Sequence, residues 1–143
     1  MTSPDSDAAA NAEGTEFHGP DAPVRIFVSA DIITIAPSAS VRDAAVAIAD
    51  ASIGMLVIGT ADEVAAVVSE RDIVRAVAQQ IDLDDVAVID IGSTDLVWVD
   101  ADELIGAAAE EMMKDYVRHA LVRDESGLVG VLSMRDALSA YTT

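Results

Sequence analysis

The sequence predicts an α/β (α+β) fold of two pseudo-symmetric repeats, each with the order β-α-β-β-α, packed together through their sheets. Three observations support this prediction. The chain aligns with itself without a gap when it is shifted by 64 residues. Short apolar runs alternate with segments whose apolar residues recur at helical spacing. Hydrophobic residues make up 52% of the chain but aromatic residues only 3%, which fits a folded core of small side chains such as Ala and Val.

The repeat is strongest over one short segment. Ten paired positions of residues 24–77 and 88–141 are identical, and four of them fall where VVSERD at 67–72 matches VLSMRD at 131–136. Because one unit of roughly 50 residues buries too little surface to be stable alone, we expect the two repeats to share a core. The predicted organisation is a disordered acidic tail at 1–22, a first repeat at 23–80, a linker at 81–87 and a second repeat at 88–143.

The strands are predicted from short apolar runs that are bounded by polar or turn residues. In the first repeat they are Ile32–Ile35, Met55–Ile58 and Val64–Val68, and in the second they are Leu96–Val99, Ala120–Val122 and Leu128–Leu132. A polar turn separates the second strand from the third in each repeat, at 59–63 and at 123–127.

The helices are predicted from apolar residues at helical spacing, which form one face of each helix. This face consists of Val41, Ala44, Ala45 and Ile48 in the first repeat and of Ile105, Ala108, Ala109 and Met112 in the second. Ser40 precedes the first set and is a suitable N-cap. A last helix is expected to begin at Ser69 and at Ser133, with an apolar face that extends to Val77 and to Tyr141.

Charge and composition exclude several functional classes. The formal net charge of −18 would repel the phosphate backbone of a nucleic acid. The absence of cysteine excludes disulfides, thiolate metal sites and a cysteine nucleophile. The longest uncharged stretch, 51–61, is far too short to span a bilayer, and residues 1–20 lack the features of a secretory signal. We therefore expect a cytoplasmic protein with neither a nucleic-acid nor a membrane partner.

Two features together resemble a known family. The gapless duplication of β-α-β-β-α, and the strand-end signature of two apolar residues followed by Ser-x-Arg-Asp, resemble a tandem pair of CBS domains, also called a Bateman module. The resemblance covers residues 24–141. It implies a regulatory sensor that binds an adenosine-type ligand (AMP, ADP, ATP or S-adenosylmethionine) and acts on a partner protein in trans. It also implies a homodimer formed through the helices.

The Ser-x-Arg-Asp motif has two chemical interpretations. Ser69 and Ser133 are expected where a strand ends and a helix begins, so that the hydroxyl and the unpaired N–H groups of the first turn can hold a phosphate. Asp72 and Asp136 follow three residues later, and a carboxylate suits the adjacent hydroxyls of a ribose. The same Ser-x-x-Asp spacing also forms a capping box, which needs no ligand.

The arginine of the motif favours the ligand interpretation. Arg71 and Arg135 are expected in the first helical turn, where a cation opposes the helix dipole. A helix start with a purely structural role would favour a carboxylate there, whereas a bound phosphate would favour arginine. The alternative is that these arginines neutralise neighbouring Asp and Glu residues in a very acidic chain.

The resemblance assigns further residues to two pockets. Family members commonly hold the ribose with the aspartate of the motif and the phosphate near its serine, while the adenine lies along the first strand. The strand residues implicated in this way are Ile33, Thr34 and Ile35 in one repeat and Val97, Trp98 and Val99 in the other. Basic residues that contact phosphates often stand just before the second strand, which here implicates Arg118 and His119.

The two pockets are expected to be unequal. The first repeat has no basic residues at the positions of Arg118 and His119, and it has Ala66 where the second repeat has Gly130. Since glycine often marks the close approach of a ligand or a backbone, we expect a tighter or empty pocket in the first repeat and ligand first in the second. The alternatives are a packing role for His119, a surface position for Arg118 and a core, interface or pocket-filling role for Trp98.

Two other functions are weighed against the sensor. Ala66 and Trp98 would also suit a protein-interaction module with the same fold and collapsed pockets. An enzyme is disfavoured, because the chain has no cysteine, no serine tied by motif to a histidine base, no phosphate-binding loop and no metal-ligand spacing. We therefore expect no catalytic residue, no cofactor and no metal.

Overall fold

Two three-stranded sheets, one from each repeat, organise the chain in a computed structural model that describes residues 19–141. The first repeat contains β1 (Thr34–Ile35), α1 (Val41–Ala51), β2 (Met55–Gly59), β3 (Val64–Ser69) and α2 (Glu70–Ala78). The second contains β4 (Trp98–Asp100), α3 (Ile105–Lys114), β5 (His119–Asp124), β6 (Gly127–Ser133) and α4 (Met134–Leu138). Short 3-10 turns lie at Val24–Ile26, Val88–Asp90 and Ser139–Tyr141. The predicted order β-α-β-β-α, present twice, is confirmed.

Both sheets have the same topology. β2 lies in the middle of the first sheet, parallel to β1 and antiparallel to β3, and β5 has the same relation to β4 and β6. The register repeats as well, since Thr34 pairs with Val57 while Trp98, 64 residues after Thr34, pairs with Leu121. The duplication in the sequence is therefore also a duplication of the strand pairing.

The first strand of each repeat differs from its predicted span. β1 is shorter than the predicted Ile32–Ile35, and β4 is shifted by two residues toward the C-terminus from the predicted start at Leu96. At both starts the chain turns tightly: the N–H of Ile32 donates to the carbonyl of Ala30 at 3.0 Å, and the N–H of Leu96 donates to that of Thr94 at 3.0 Å. A residue whose N–H is used in such a local turn cannot donate to a neighbouring strand.

The central strands are buried on both faces. Along β2, Met55 and Val57 pack toward the other sheet, where they meet Leu121 of β5. The alternate residues Leu56 and Ile58 belong to the cluster between the first sheet and its own helices. Because successive side chains of a strand point to opposite faces, this two-sided burial explains the uninterrupted apolar run in the sequence. It also confirms that the repeats pack through their sheets.

The segment of the first repeat that precedes β1 packs on the second repeat. The N–H of Val24 donates to the carbonyl of Glu103 at 2.8 Å, and Ser29 exchanges two backbone hydrogen bonds of 3.0 Å with Val131 of β6. Of the disordered tail predicted at 1–22, residues 1–18 lie outside the described residues. Ala22, the last residue of that predicted tail, is fully buried in the core of the second repeat.

The segment of the second repeat that precedes β4 packs, in the same way, on the first repeat. The N–H of Val88 donates to the carbonyl of Ala39 at 2.7 Å, and Ser93 exchanges two backbone hydrogen bonds of 2.8 and 3.0 Å with Val67 of β3. The two exchanges are related by the 64-residue shift. Each repeat therefore has the beginning of the other along the outer edge of its third strand, close to the Ser-x-Arg-Asp motif.

Candidate functional site

Two clefts open at the Ser-x-Arg-Asp motifs, and each is built from both repeats. Cleft 1, of about 240 Å³, is lined by Ser69, Arg71 and Asp72 together with Ser93, Asp95 and Val97. Cleft 2, of about 880 Å³, is lined by Ser133, Arg135 and Asp136 together with Ser29 and Asp31. The clefts share one wall, which consists of Gly54, Met55, Glu70, Arg118 and His119. The exchange of the leading segments is what brings the motif of one repeat beside the start of the other.

The structure brings together some of the predicted site residues and leaves others outside. The six residues of the two motifs, with Arg118, His119 and Val97, line the clefts. The remaining predicted residues line neither cleft: Ile33, Thr34, Ile35, Trp98 and Val99. Ser29, Asp31, Ser93 and Asp95 were not among the predicted site residues, although both the serines and the aspartates are identical pairs of the repeat.

In cleft 1 the motif forms a capping box. The hydroxyl of Ser69 accepts from the N–H of Asp72 at 3.2 Å. Oδ2 of Asp72 in turn accepts from the N–H of Ser69 at 2.9 Å and from its hydroxyl at 3.1 Å. Oδ1 of Asp72 is 3.3 Å from Nη1 of Arg75. Both carboxylate oxygens of Asp72 are thus engaged within the helix, as the ligand-free interpretation of the motif requires.

In cleft 2 the motif is only half of a capping box. The hydroxyl of Ser133 accepts from the N–H of Asp136 at 3.0 Å. Within residues 19–141, the Asp136 carboxylate accepts no hydrogen bond and forms no ion pair. The position equivalent to Arg75 is Ser139, so the cation that holds Asp72 has no counterpart here. Asp136 is exposed and keeps both carboxylate oxygens available to a ligand.

The arginines fall into two groups. Four form ion pairs with carboxylates: Arg25 with Asp102, Arg42 with Asp84, Arg75 with Asp72 and Arg123 with Asp100. Arg71, Arg118 and Arg135 form no ion pair in the part of the chain that the structure describes. All three line the clefts. Within residues 19–141, no ion pair therefore supports the alternative that Arg71 and Arg135 neutralise a neighbouring carboxylate.

His119 lies on the wall between the clefts and is half-buried. A Cβ atom on Gly54 would come within 2.9 Å of its Nε2 atom, so the glycine leaves room for the imidazole. Burial lowers the pKa of His119, and Arg118 lowers it as well, whereas Glu70 and Asp136 raise it. Because burial is the largest of these effects, the imidazole is held in its neutral form more than an exposed histidine would be.

The difference between Gly130 and Ala66 has a packing explanation. A Cβ atom on Gly130 would come within 2.2 Å of Cγ1 of Val28 and 2.4 Å of the carbonyl oxygen of Ser29. At the equivalent contact of the first repeat the glycine is on the other segment: Ala66 replaces Gly130, and Gly92 replaces Val28. Gly130 thus marks the close approach of a backbone segment, and Ala66 is not evidence that cleft 1 has collapsed.

Trp98 is partly buried and packs against the cluster between the sheets. It contacts the cluster around Val57 and Leu121, and the guanidinium carbon of Arg123 lies 5.4 Å from the centroid of its ring. This cation–π contact and the packing keep the indole away from both clefts. Neither Trp98 nor Ala66, the two residues that favoured collapsed pockets, fills a cleft.

The CBS-domain family matches the chain twice, over residues 24–79 and over residues 88–143. The chain belongs to this family. It is a tandem pair of CBS domains, as the duplicated motif indicated. Among the described residues no helix is long and apolar enough to cross a membrane, and no group of side chains is suited to hold a metal ion.

One sequence relative and two solved structures show what this chain is similar to. An uncharacterized protein of Methanopyrus kandleri is 31% identical over 111 residues, which are 76% of this chain and 57% of that protein. This chain thus spans little more than half the length of that relative. The crystal structure of a conserved protein from Pyrococcus horikoshii matches with a TM-score of 0.78 and 23% identity, covering 87% of this chain and 95% of that one. A CBS-domain protein from Pyrobaculum aerophilum, complexed with AMP, matches with a TM-score of 0.72 and 32% identity, covering 80% and 89%.

Proposed function

We propose that this CBS pair is a regulatory module that binds an adenosine nucleotide, with AMP as the first candidate, in cleft 2. The observation that carries the proposal is that two arginines without an ion pair within residues 19–141 line the same cleft. In a chain of net charge −18, Arg118 and Arg135 form no ion pair among the described residues and line the same cleft as the available carboxylate of Asp136. A nucleoside phosphate has an anionic phosphate that suits the two arginines and a ribose diol that suits the carboxylate.

Each group of the nucleotide has a partner of suitable chemistry in cleft 2. The two guanidinium groups would hold the phosphate, since arginine binds phosphate oxygens through paired N–H donors. α4 has only five residues, so these side chains rather than a helix dipole would carry the charge recognition. Asp136 would accept from the ribose hydroxyls. Ile53 and Met134 line the same cleft and offer an apolar surface for the base.

The AMP complex of the Pyrobaculum aerophilum protein supports this choice of ligand, because that protein is 32% identical and matches over most of both chains. Regulation would follow from the position of the cleft. Cleft 2 is lined by Ser29 from the leading segment and by the motif of the second repeat. A ligand that contacts both would favour one relative position of these elements over another. We propose no catalytic role.

The assembly proposed with this function is a homodimer formed through the helices, which would act on a partner protein in trans in the cytoplasm. Apolar side chains remain exposed on the last helix of both repeats. Val74 is 66% and Val77 56% exposed on α2, and Leu138 is 47% and Tyr141 53% exposed at the end of the second repeat. Burial of such side chains against a second copy would be favourable by about 25 cal/mol per Å² of apolar surface.

The test is calorimetric titration of AMP into the whole chain and into three variants. Arg135→Ala and Asp136→Asn should each raise the dissociation constant of the tighter site about tenfold or more, because each removes a charge-assisted hydrogen bond. Asp72→Asn is the matched control: it should lower the free energy of unfolding by weakening the capping box, without changing that dissociation constant. Absence of AMP binding to the unaltered chain at millimolar concentration, or unchanged binding by Asp136→Asn, would contradict the proposal.

A further inference from the structure

Arg118 stands on the wall that separates the two clefts and lines both of them. Its side chain is exposed and makes no ion pair within residues 19–141. A long exposed guanidinium of this kind can turn toward an anion on either side. Each cleft also has one unpaired arginine of its own, Arg71 in cleft 1 and Arg135 in cleft 2.

The first repeat supplies no second copy of this residue. The position equivalent to Arg118 is Gly54, which lies on the same shared wall. Nor can an arginine be added there without a rearrangement, because the imidazole of His119 occupies the adjacent space. Counting ion pairs within residues 19–141, the clefts therefore hold three unpaired arginines rather than four. If each cleft binds a phosphate, only one of the two phosphates can be held by two guanidinium groups.

The backbone of Arg118 is hydrogen-bonded beside cleft 2. The carbonyl of Arg118 accepts from the N–H of Met134 at 2.7 Å, next to Arg135 in the sequence. The equivalent carbonyl, that of Gly54, accepts from the N–H of Glu70 at 3.0 Å, at the edge of cleft 1. Arg118 is thus anchored beside the motif of cleft 2 and would have to reach across the wall to serve cleft 1.

We propose that Arg118 is a phosphate-binding residue shared by the two clefts, so that a nucleotide bound in cleft 2 weakens the binding of a second nucleotide in cleft 1. This inference rests on the proposed function, since it takes AMP as the ligand. The physical basis is competition for one cation. Cleft 1 binds its phosphate with Arg71 and Arg118 when cleft 2 is empty, but with Arg71 alone when cleft 2 is occupied. The coupling is reciprocal, as linkage requires.

The test measures AMP binding to cleft 1 when binding to cleft 2 is weakened. In calorimetry on the whole chain, Asp136→Asn should make cleft 1 bind about tenfold more tightly than the second step of the unaltered protein, because Arg118 is released to it. The double variant Asp136→Asn with Arg118→Ala should return the dissociation constant of cleft 1 to that second-step value. Lys114→Ala, which removes a basic residue that lines neither cleft, is the charge-matched control and should leave both steps unchanged.

The possible results separate this inference from the function on which it rests. A single step of one AMP per chain in the unaltered protein, followed by binding to cleft 1 in Asp136→Asn, also supports sharing. In Asp136→Asn, a weakened first step with a second step that keeps its dissociation constant, with and without Arg118, would show independent clefts and overturn the sharing, while the proposed function stands. No AMP binding to any variant would overturn both. Thermal unfolding of each variant establishes that a lost step is not lost folding.

Discussion

The contact between Gly130 and the leading segment gives the most direct test of the exchanged architecture. Substitution of Gly130 by Ala adds one methyl group at a point where Cγ1 of Val28 and the carbonyl oxygen of Ser29 would be 2.2 and 2.4 Å away. The valine side chain can turn aside, but the carbonyl belongs to a segment that is hydrogen-bonded twice to Val131. The added methyl must therefore displace backbone, and we expect Gly130→Ala to lower the free energy of unfolding by about 1–3 kcal/mol.

The equivalent contact in the first repeat suggests a second substitution that should relieve the clash of Gly130→Ala. There Ala66 lies fully buried against Gly92, the residue equivalent to Val28. The double variant Val28→Gly with Gly130→Ala copies this arrangement into the second repeat. Val28→Gly alone should be destabilising, because it removes packed apolar surface and adds backbone freedom to the unfolded chain. The two changes together should cost less than the sum of their separate costs by about 1 kcal/mol or more.

Urea unfolding, followed by far-UV circular dichroism, gives the free energy of unfolding of the four proteins in this cycle. A Gly130→Ala variant as stable as the unaltered chain would show that residues 28–29 do not cross β6 at this point. Strictly additive costs would show that Val28 is not the residue that the new methyl meets. The first result would refute the explanation given for Gly130, and with it the placement of Ser29 and Asp31 in cleft 2; the second would refute the contact with Val28 and leave the carbonyl of Ser29 as the group that the methyl displaces.

Two further predictions concern single residues. Burial lowers the pKa of His119, so the unfolded chain binds more protons than the folded chain as the pH falls below about 6.5. The free energy of unfolding should therefore decrease on acidification. In urea unfolding at pH 7.5 and 5.5, the His119→Gln variant should lack the part of this decrease that His119 causes. An equal pH dependence in both proteins would contradict this. Tyr116 has a left-handed backbone at φ 58° and is 91% exposed, so Tyr116→Gly should raise the free energy of unfolding by about 1 kcal/mol. Ser52→Gly, at the equivalent position with φ 55°, should act in the same direction, and a fall in the melting temperature of both variants would argue against left-handed turns there.

The candidate site was partly predictable. The residues of the two motifs were identified because a repeated Ser-x-Arg-Asp shows in the sequence as a local pattern. The capping box was one of the two interpretations of the motif, but its difference between the repeats was not predictable, because Asp72 and Asp136 stand at the same Ser-x-x-Asp spacing and only the folded helix starts show that Asp72 completes the box and Asp136 does not. Ile33 and Trp98 were expected beside a ligand, yet they line neither cleft. Side-chain direction on a two- or three-residue strand is set by pairing that the sequence does not show.

The duplication, the order of the elements and the family follow from the sequence by itself, because helical spacing, apolar runs and caps are local properties of the chain. The exchange of the leading segments was decided only in the tertiary structure. Whether residues 20–29 pack on the first repeat or on the second depends on contacts across about a hundred residues, such as those of Ser29 with Val131. The same long-range packing unites each motif with the opposite repeat and places Arg118 between the clefts. The repeated motif could therefore be recognised in the sequence, whereas the residues that line each cleft could be identified only from the tertiary structure.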